Sequence, residues 1–74
     1  MPEIALDLLG LRCPLPALKT RKALKGLPPG TVLVVTANDP LAGLDIPNLI
    51  RETGDTLQAT EKVGECMTFR IVKA

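Results

Sequence analysis

The sequence has no histidine, tryptophan or tyrosine, and its only aromatic side chain is Phe69. With no histidine and only two cysteines it lacks the ligand pairs of zinc sites, so we expect neither a metal ion nor a cofactor. Proteins that bind single-stranded nucleic acids usually stack the bases on aromatic rings. The shortage of aromatic residues therefore argues against direct binding of nucleic acid.

Long apolar runs are also missing from the chain. No stretch approaches the roughly 18 apolar residues that a membrane helix needs. The start Met1-Pro2-Glu3 lacks the basic residues of an export signal. Together with the scarcity of cysteine, these absences predict a reducing, cytoplasmic setting and no contact with a membrane.

The residues that are present predict a small aliphatic domain. Hydrophobic residues make up 46% of the 74 positions, so we expect one domain over residues 1–74, and nothing requires more than a monomer. The net charge is only +1, but no acidic residue occurs between Asp7 and Asp39. The basic residues of that interval are Arg12, Lys19, Arg21, Lys22 and Lys25. The positive charge is therefore concentrated on one part of the chain.

Alternating apolar residues and β-branched runs predict four strands, Ile4–Leu8, Thr31–Thr36, Leu57–Lys62 and Cys66–Val72. The last two are predicted to form a hairpin through the short link Val63-Gly64-Glu65. A first helix is predicted over Pro14–Lys25, where Gly26 closes it.

A second helix is predicted to start with Asp39 as its cap and Pro40 at its first position, and to end at Gly54. Its apolar stripe is expected to contain Leu41, Leu44, Leu49 and Ile50. Pro47 is expected to kink this helix or to mark its true first turn. The order β-α-β-α-β-β, with helices as crossovers, predicts an α/β two-layer sandwich in which a mixed four-stranded sheet carries two helices on one face.

The segment from Leu9 to Pro16 ends an apolar run, contains Cys13 and starts the first helix. A residue before proline is pushed towards extended backbone, so Cys13 is predicted at the N-cap, with Pro14 at the first helical position and Pro16 at the third. The positive end of the helix and neighbouring Arg12 would both favour a thiolate, which predicts a lowered pKa for Cys13 and a nucleophilic role. A free cysteine is also often a small buried hydrophobe, and this alternative stays open.

One face of the first helix combines Leu15 and Leu18 with Lys19 and Lys22. We call these four residues the docking face, because exposed leucines within a basic arc would suit a protein partner with an apolar centre and an acidic rim. The alternative is that the leucines are isolated surface residues, which are common. Cys66 is predicted on the sheet face opposite the helices, with no role.

The residues Leu6–Pro16 resemble the signature of the TusA/SirA family of small sulfur-carrier proteins, and the Cys-Pro-x-Pro core at Cys13 is the most specific part of the match. Further similarities are Pro29-Gly30, Asp39-Pro40 and Asp45-Ile46-Pro47, so the resemblance extends to Val72. It implies the same sandwich and a persulfide on Cys13. From the local sequence we expect Pro14 and Pro16 to stiffen the backbone that carries Cys13, and Arg12 to stabilise the anion, with a merely solvated Arg12 as the alternative.

Asp45 matches an acidic residue of the family, which implies a contact with a partner, although a solvated helix acid is an alternative. Relatives often have histidine after the glycine where this chain has Asp55. The implied partners are a sulfur donor, such as a cysteine desulfurase, a rhodanese or a DsrE-like protein, and an acceptor protein of tRNA thiolation or sulfur oxidation.

Three hypotheses follow from these residues. In the first, the domain is a sulfurtransferase-type carrier in which Cys13 accepts sulfane sulfur and passes it on. In the second, it is a non-catalytic module that binds RNA or protein through the basic first helix. In the third, it is a redox sensor that pairs Cys13 with Cys66 or with Cys13 of another copy.

Overall fold

The structure, a computed structural model, describes residues 2–74. Its elements are β1 Glu3–Asp7, α1 Leu15–Lys25, β2 Val32–Ala37, α2 Ala42–Thr53, β3 Thr56–Val63 and β4 Cys66–Val72. They form one four-stranded mixed sheet with two helices, which confirms the predicted β-α-β-α-β-β sandwich. No helix within residues 2–74 is long and apolar enough to cross a membrane.

The strands follow the order β1-β2-β4-β3 across the sheet. β1 runs parallel to β2, with Glu3 opposite Val32 and Asp7 opposite Thr36, whereas β4 is antiparallel to both of its neighbours. Because parallel strands end at the same edge, the loop after β1 and the loop after β2 leave the sheet side by side. The fold therefore brings residues 8–14 next to residues 38–41.

The core lies between the sheet and the two helices. Strand residues alternate between the two faces, and those of β2 and β4 that point towards the helices are Leu33, Val35, Ala37, Met67, Phe69 and Ile71. From α1, Leu24 packs on this layer, and the buried Thr20 hydroxyl donates to the Pro16 carbonyl at 2.8 Å. The polar group of Thr20 is therefore satisfied within its own helix.

The apolar stripe of α2 differs from the prediction. Leu41 and Leu44 are 50% and 61% exposed, while Ala42 and Ile46 are fully buried with Leu49 and Ile50. Positions 42, 46, 49 and 50 follow the spacing of one helical face, and position 44 points away from it. The prediction was right for Leu49 and Ile50, and it was wrong for Leu41, which precedes the helix, and for Leu44, which lies roughly 120–140° around the helix from the other two. The helix begins at Ala42, two residues later than Pro40, with no side-chain cap.

The hairpin between β3 and β4 turns at Gly64-Glu65, one residue shorter than the predicted link, and Val63 pairs with Cys66. Gly64 has φ of +60°, as the first central residue of a tight hairpin turn requires. Cys66 is exposed and alternates with buried Met67, which confirms its predicted place on the face away from the helices.

Phe69 is fully buried at the centre of the sheet, so Phe69→Ala should leave a cavity and lower the free energy of unfolding by about 3–5 kcal/mol. Urea unfolding followed by circular dichroism measures this loss. Val63 is 76% exposed, so the control Val63→Ala should change stability by no more than about 0.5 kcal/mol. Equal effects of the two substitutions would contradict the described core.

Candidate functional site around Cys13

Cys13 lies in the loop between β1 and α1, and its side chain is exposed. Two side chains from the loop after β2 hold the backbone of this segment. Asn38 Oδ1 accepts a hydrogen bond from the Gly10 amide at 2.8 Å, and Asp39 Oδ2 accepts one from the Cys13 amide at 2.8 Å. The loop that carries the thiol is therefore tied to the neighbouring loop at two points. The Cys13–Pro14 peptide bond is cis.

Asp39 connects the Cys13 loop to the start of α2. Its side chain is 4% exposed, its Oδ1 accepts from the Leu41 amide at 3.4 Å, and its carbonyl accepts from the Ala42 amide at 3.0 Å. Asp39 was predicted as the N-cap of α2, but Leu41 occupies that position. Asp39 instead closes the turn before the helix and uses its second carboxylate oxygen to fix the Cys13 amide.

The start of α1 also differs from the prediction. The helix begins at Leu15, with Pro14 at the N-cap, so Cys13 lies one residue outside the cap. The Leu15 amide already donates to the Arg12 carbonyl at 2.8 Å, and Pro16 has no amide hydrogen. Few free donors therefore remain at this helix end to stabilise a thiolate. Pro16 is a buried residue of the first turn of α1.

A groove between the two helices opens beside Cys13. Its volume is about 290 Å³, and its lining includes Leu18 and Leu49 as apolar residues. Asp45 lines the groove with the thiol, while Arg21 and Glu52, also in its lining, form an ion pair at 2.9 Å. The groove therefore carries an acidic side chain near the sulfur and a paired cation further along the helices.

Carboxylates raise the pKa of the Cys13 thiol above its usual value. The largest cause is a hydrogen bond with the Asp45 side chain, followed by loss of water around the sulfur and by the negative charges of Asp45 and Asp39. The predicted lowering of this pKa was wrong. The expected contribution of Arg12 is missing because its guanidinium is turned to Leu11 O and Asn38 Oδ1, at 3.5 Å from each.

The docking face is on the surface as predicted. Leu15 and Leu18 are 43% and 54% exposed, and Lys19 and Lys22 are exposed beside them. Three further leucines are exposed that were not predicted to be so, Leu9, Leu41 and Leu44. Two of them belong to the loops after β1 and β2, and the third to the first turn of α2, so the edge of the sheet that carries Cys13 is rich in exposed apolar side chains.

Asp55 and Cys66 do not join the groove. Asp55 follows α2 at the end opposite Asp45, where its Oδ1 accepts from the Ala74 amide at 2.8 Å and lies 3.8 Å from Lys73 Nζ. Cys66 begins β4, and both cysteines are free thiols. Asn38 and Asp39 are site residues that were not predicted as such from the sequence. The available signal was a pair of polar side chains directly after a parallel strand, where neighbouring loops converge.

A comparison with protein families bears on this geometry. The family model described as sulfurtransferase TusA matches residues 4–73. The chain belongs to the TusA sulfurtransferase family. Membership assigns a sulfur carrier or sulfurtransferase role and supports interaction with sulfur-relay proteins. The matched range contains Cys13, Pro14 and Pro16 together with Asp39 and Asp45, so the TusA match includes the whole groove beside the thiol.

Because the folded protein raises the pKa of Cys13, the thiol should ionise at higher pH in the native chain than in a short peptide of the same local sequence. The rate of alkylation by iodoacetamide against pH measures this in a Cys66→Ser background, which leaves one thiol. We expect the half-maximal rate at higher pH in the native protein. A midpoint at or below that of the peptide would contradict the described role of Asp45.

Proposed function

We propose that this protein carries sulfane sulfur as a persulfide on Cys13 and passes it to an acceptor protein. The observation that supports this most directly is the exposed thiol on a loop that two side chains hold, in a chain of the TusA family. A carrier needs a sulfur that a second protein can reach and a backbone that presents it in one position. Both features occur at Cys13.

The transfer conserves atoms and electrons. The Cys13 thiolate attacks the outer sulfur of a donor persulfide, a new S–S bond forms at Cys13, and the donor leaves as a thiolate. In the second step an acceptor thiolate attacks the outer sulfur of the Cys13 persulfide, and Cys13 leaves as a thiolate. Each step exchanges one S–S bond for another, so no external oxidant or reductant is required.

The residues around Cys13 have supporting roles in this proposal. Asp39 fixes the amide of Cys13, and Pro14 and Pro16 restrict the backbone where the loop enters α1. Arg12, the residue before Cys13, is exposed, and in this proposal its guanidinium turns from Leu11 and Asn38 to an anionic group of a docked partner. The domain itself supplies position and access, while the donor and acceptor supply the reacting sulfur atoms.

The docking face is the proposed contact for the partners. Leu15 and Leu18 offer apolar area within a few residues of Cys13, and Lys19 and Lys22 would attract an acidic rim. A cysteine desulfurase, a rhodanese or a DsrE-like protein would act as donor, and the acceptor would belong to tRNA thiolation or to sulfur oxidation. Such a relay works in a reducing compartment, which agrees with the cytoplasmic setting proposed for this chain.

The proposed carrier should gain one sulfur atom when it is incubated with a rhodanese charged with thiosulfate, and dithiothreitol should remove it. Intact-mass spectrometry measures this gain. Cys13→Ser should abolish the gain because it removes the accepting sulfur, while the matched variant Cys66→Ser should load like the unchanged protein. Loading of Cys13→Ser, or no loading of the unchanged protein, would refute the proposal.

Reversing the charge of the docking face should slow transfer. With Lys19→Glu we expect the rate of sulfur transfer from an acidic donor to fall by about threefold or more at low ionic strength, because steering by opposite charges is lost. The difference should shrink as salt is added. Arg51→Glu makes the same charge change in the last turn of α2, away from Cys13, and should leave the rate unchanged. Equal effects of both variants would contradict a contact through α1.

A non-catalytic RNA-binding module would behave differently in the same experiments. Its affinity for RNA would fall steeply with salt and would not depend on Cys13. Measuring RNA binding of the Cys13→Ser variant over a range of salt concentrations therefore separates this alternative from the carrier.

A further inference from the structure

Asp45 holds a fixed position beside the proposed sulfur-accepting thiol. It lies in the first turn of α2, where its amide donates to the Leu41 carbonyl at 2.9 Å, and its side chain is half-buried in the groove lined by Cys13. The N-terminal end of a helix favours negative charge, so the carboxylate is well placed as an anion. The fold therefore sets a negative group against the sulfur on which the proposed function depends.

No cation of the groove neutralises Asp45. Arg21, the basic residue that α1 contributes to the lining, is paired with Glu52 of α2 at 2.9 Å. On the loop side, Arg12 is turned to Leu11 and Asn38. Within residues 2–74, Asp45 forms no ion pair.

The second carboxylate near Cys13 is committed to backbone amides. Asp39 accepts from the Cys13 and Leu41 amides, and its charge adds to the negative environment of the sulfur. The charged groups that face the thiol are thus Asp45 from α2 and Asp39 from the loop after β2. Both oppose formation of a thiolate.

We propose that Asp45 restrains Cys13: its carboxylate holds the unloaded carrier in the thiol form, and a cationic group of the docked sulfur donor releases the thiol by pairing with Asp45. This inference rests on the proposed carrier function and adds its regulation. It also specifies the partner, which would combine an acidic rim facing Lys19 and Lys22 with a basic side chain that enters the groove beside the sulfur.

The restraint has a chemical advantage for a carrier. A thiol that stays protonated reacts slowly with oxidants and small electrophiles, because the thiolate is the reactive form. Reactivity then appears only where a partner brings both the sulfur and the compensating charge. An unloaded carrier with a permanently ionised cysteine would be oxidised more readily before it meets its donor.

Asp45→Asn removes the charge and keeps the size of the side chain, so it tests the restraint directly. In the Cys66→Ser background, the pH at which iodoacetamide reacts at half-maximal rate should move downwards. At a pH below the pKa, each unit by which the pKa falls raises the thiolate fraction tenfold. The intrinsic nucleophilicity of the thiolate falls at the same time, so the net alkylation rate at pH 7 should rise by about threefold. Glu61→Gln removes a charge from exposed β3 and should leave the profile unchanged.

Thiol reagents of opposite charge test whether the groove beside Cys13 favours a cation. A methanethiosulfonate that carries a trimethylammonium group should react with Cys13 faster than one that carries a sulfonate, and Asp45→Asn should reduce this ratio by about threefold or more. Glu61→Gln should preserve the ratio. Because both reagents use the same leaving group, a difference between them reports the local charge at the sulfur.

The outcomes separate this inference from the proposed function. If Asp45→Asn and the unchanged protein share one pH profile and one reagent ratio, while both still gain sulfur at Cys13, the restraint is refuted and the carrier function stands. If no variant gains sulfur, the carrier function fails whatever the alkylation profile shows. A cooperative thermal unfolding transition checks that Asp45→Asn is folded. Asp45→Glu should keep the pH profile of the unchanged protein if the charge of the side chain, rather than its shape, is responsible.

Discussion

The hydrogen bond between the Cys13 amide and the Asp39 carboxylate is the contact on which the site depends. It joins two loops that are far apart in the sequence and adjacent only because β1 and β2 run parallel. The same carboxylate also accepts a hydrogen bond from the Leu41 amide, so the position of the thiol is linked to the start of α2. Since α2 carries Asp45, one buried side chain fixes both the sulfur and the groove beside it.

Much of the fold was predictable because local patterns and tertiary packing agree. The β-branched run of β2 and the alternation of β4 each have one face that must be buried, and in the structure those faces form the core with Phe69 at its centre. Half of the predicted α2 stripe was wrong, because Leu41 precedes the helix and Leu44 lies on a different face from Leu49 and Ile50. Asp39 and Pro40 resemble a helix start, but Asp39 is needed for the Cys13 loop and the helix begins at Ala42.

The exposed thiol and the docking face could be predicted, because Cys13 precedes a proline-rich helix start and Leu18 faces away from the sheet. The charge environment of the sulfur could not. It is set by Asp45, which lies 32 residues away in the sequence, and by Asp39, whose contact exists only after the sheet forms. The expectation that the positive end of α1 lowers the pKa of Cys13 therefore gave the wrong direction for this pKa.

The Asp39 carboxylate that anchors Cys13 also adds to its resistance to ionisation, which Asp45 causes in larger part. A carboxylate can accept hydrogen bonds from two backbone amides at once, so Asp39 links the Cys13 loop to the turn before α2. The same carboxylate places negative charge near the sulfur. A neutral side chain at this position would offer fewer hydrogen-bond acceptors to the loop, and it would oppose ionisation of the Cys13 thiol less. In this fold, firm positioning of the thiol is thus obtained together with low intrinsic reactivity. For a protein whose proposed task is to exchange sulfur only with docked partners, the two properties are compatible, because the partner can supply the missing positive charge.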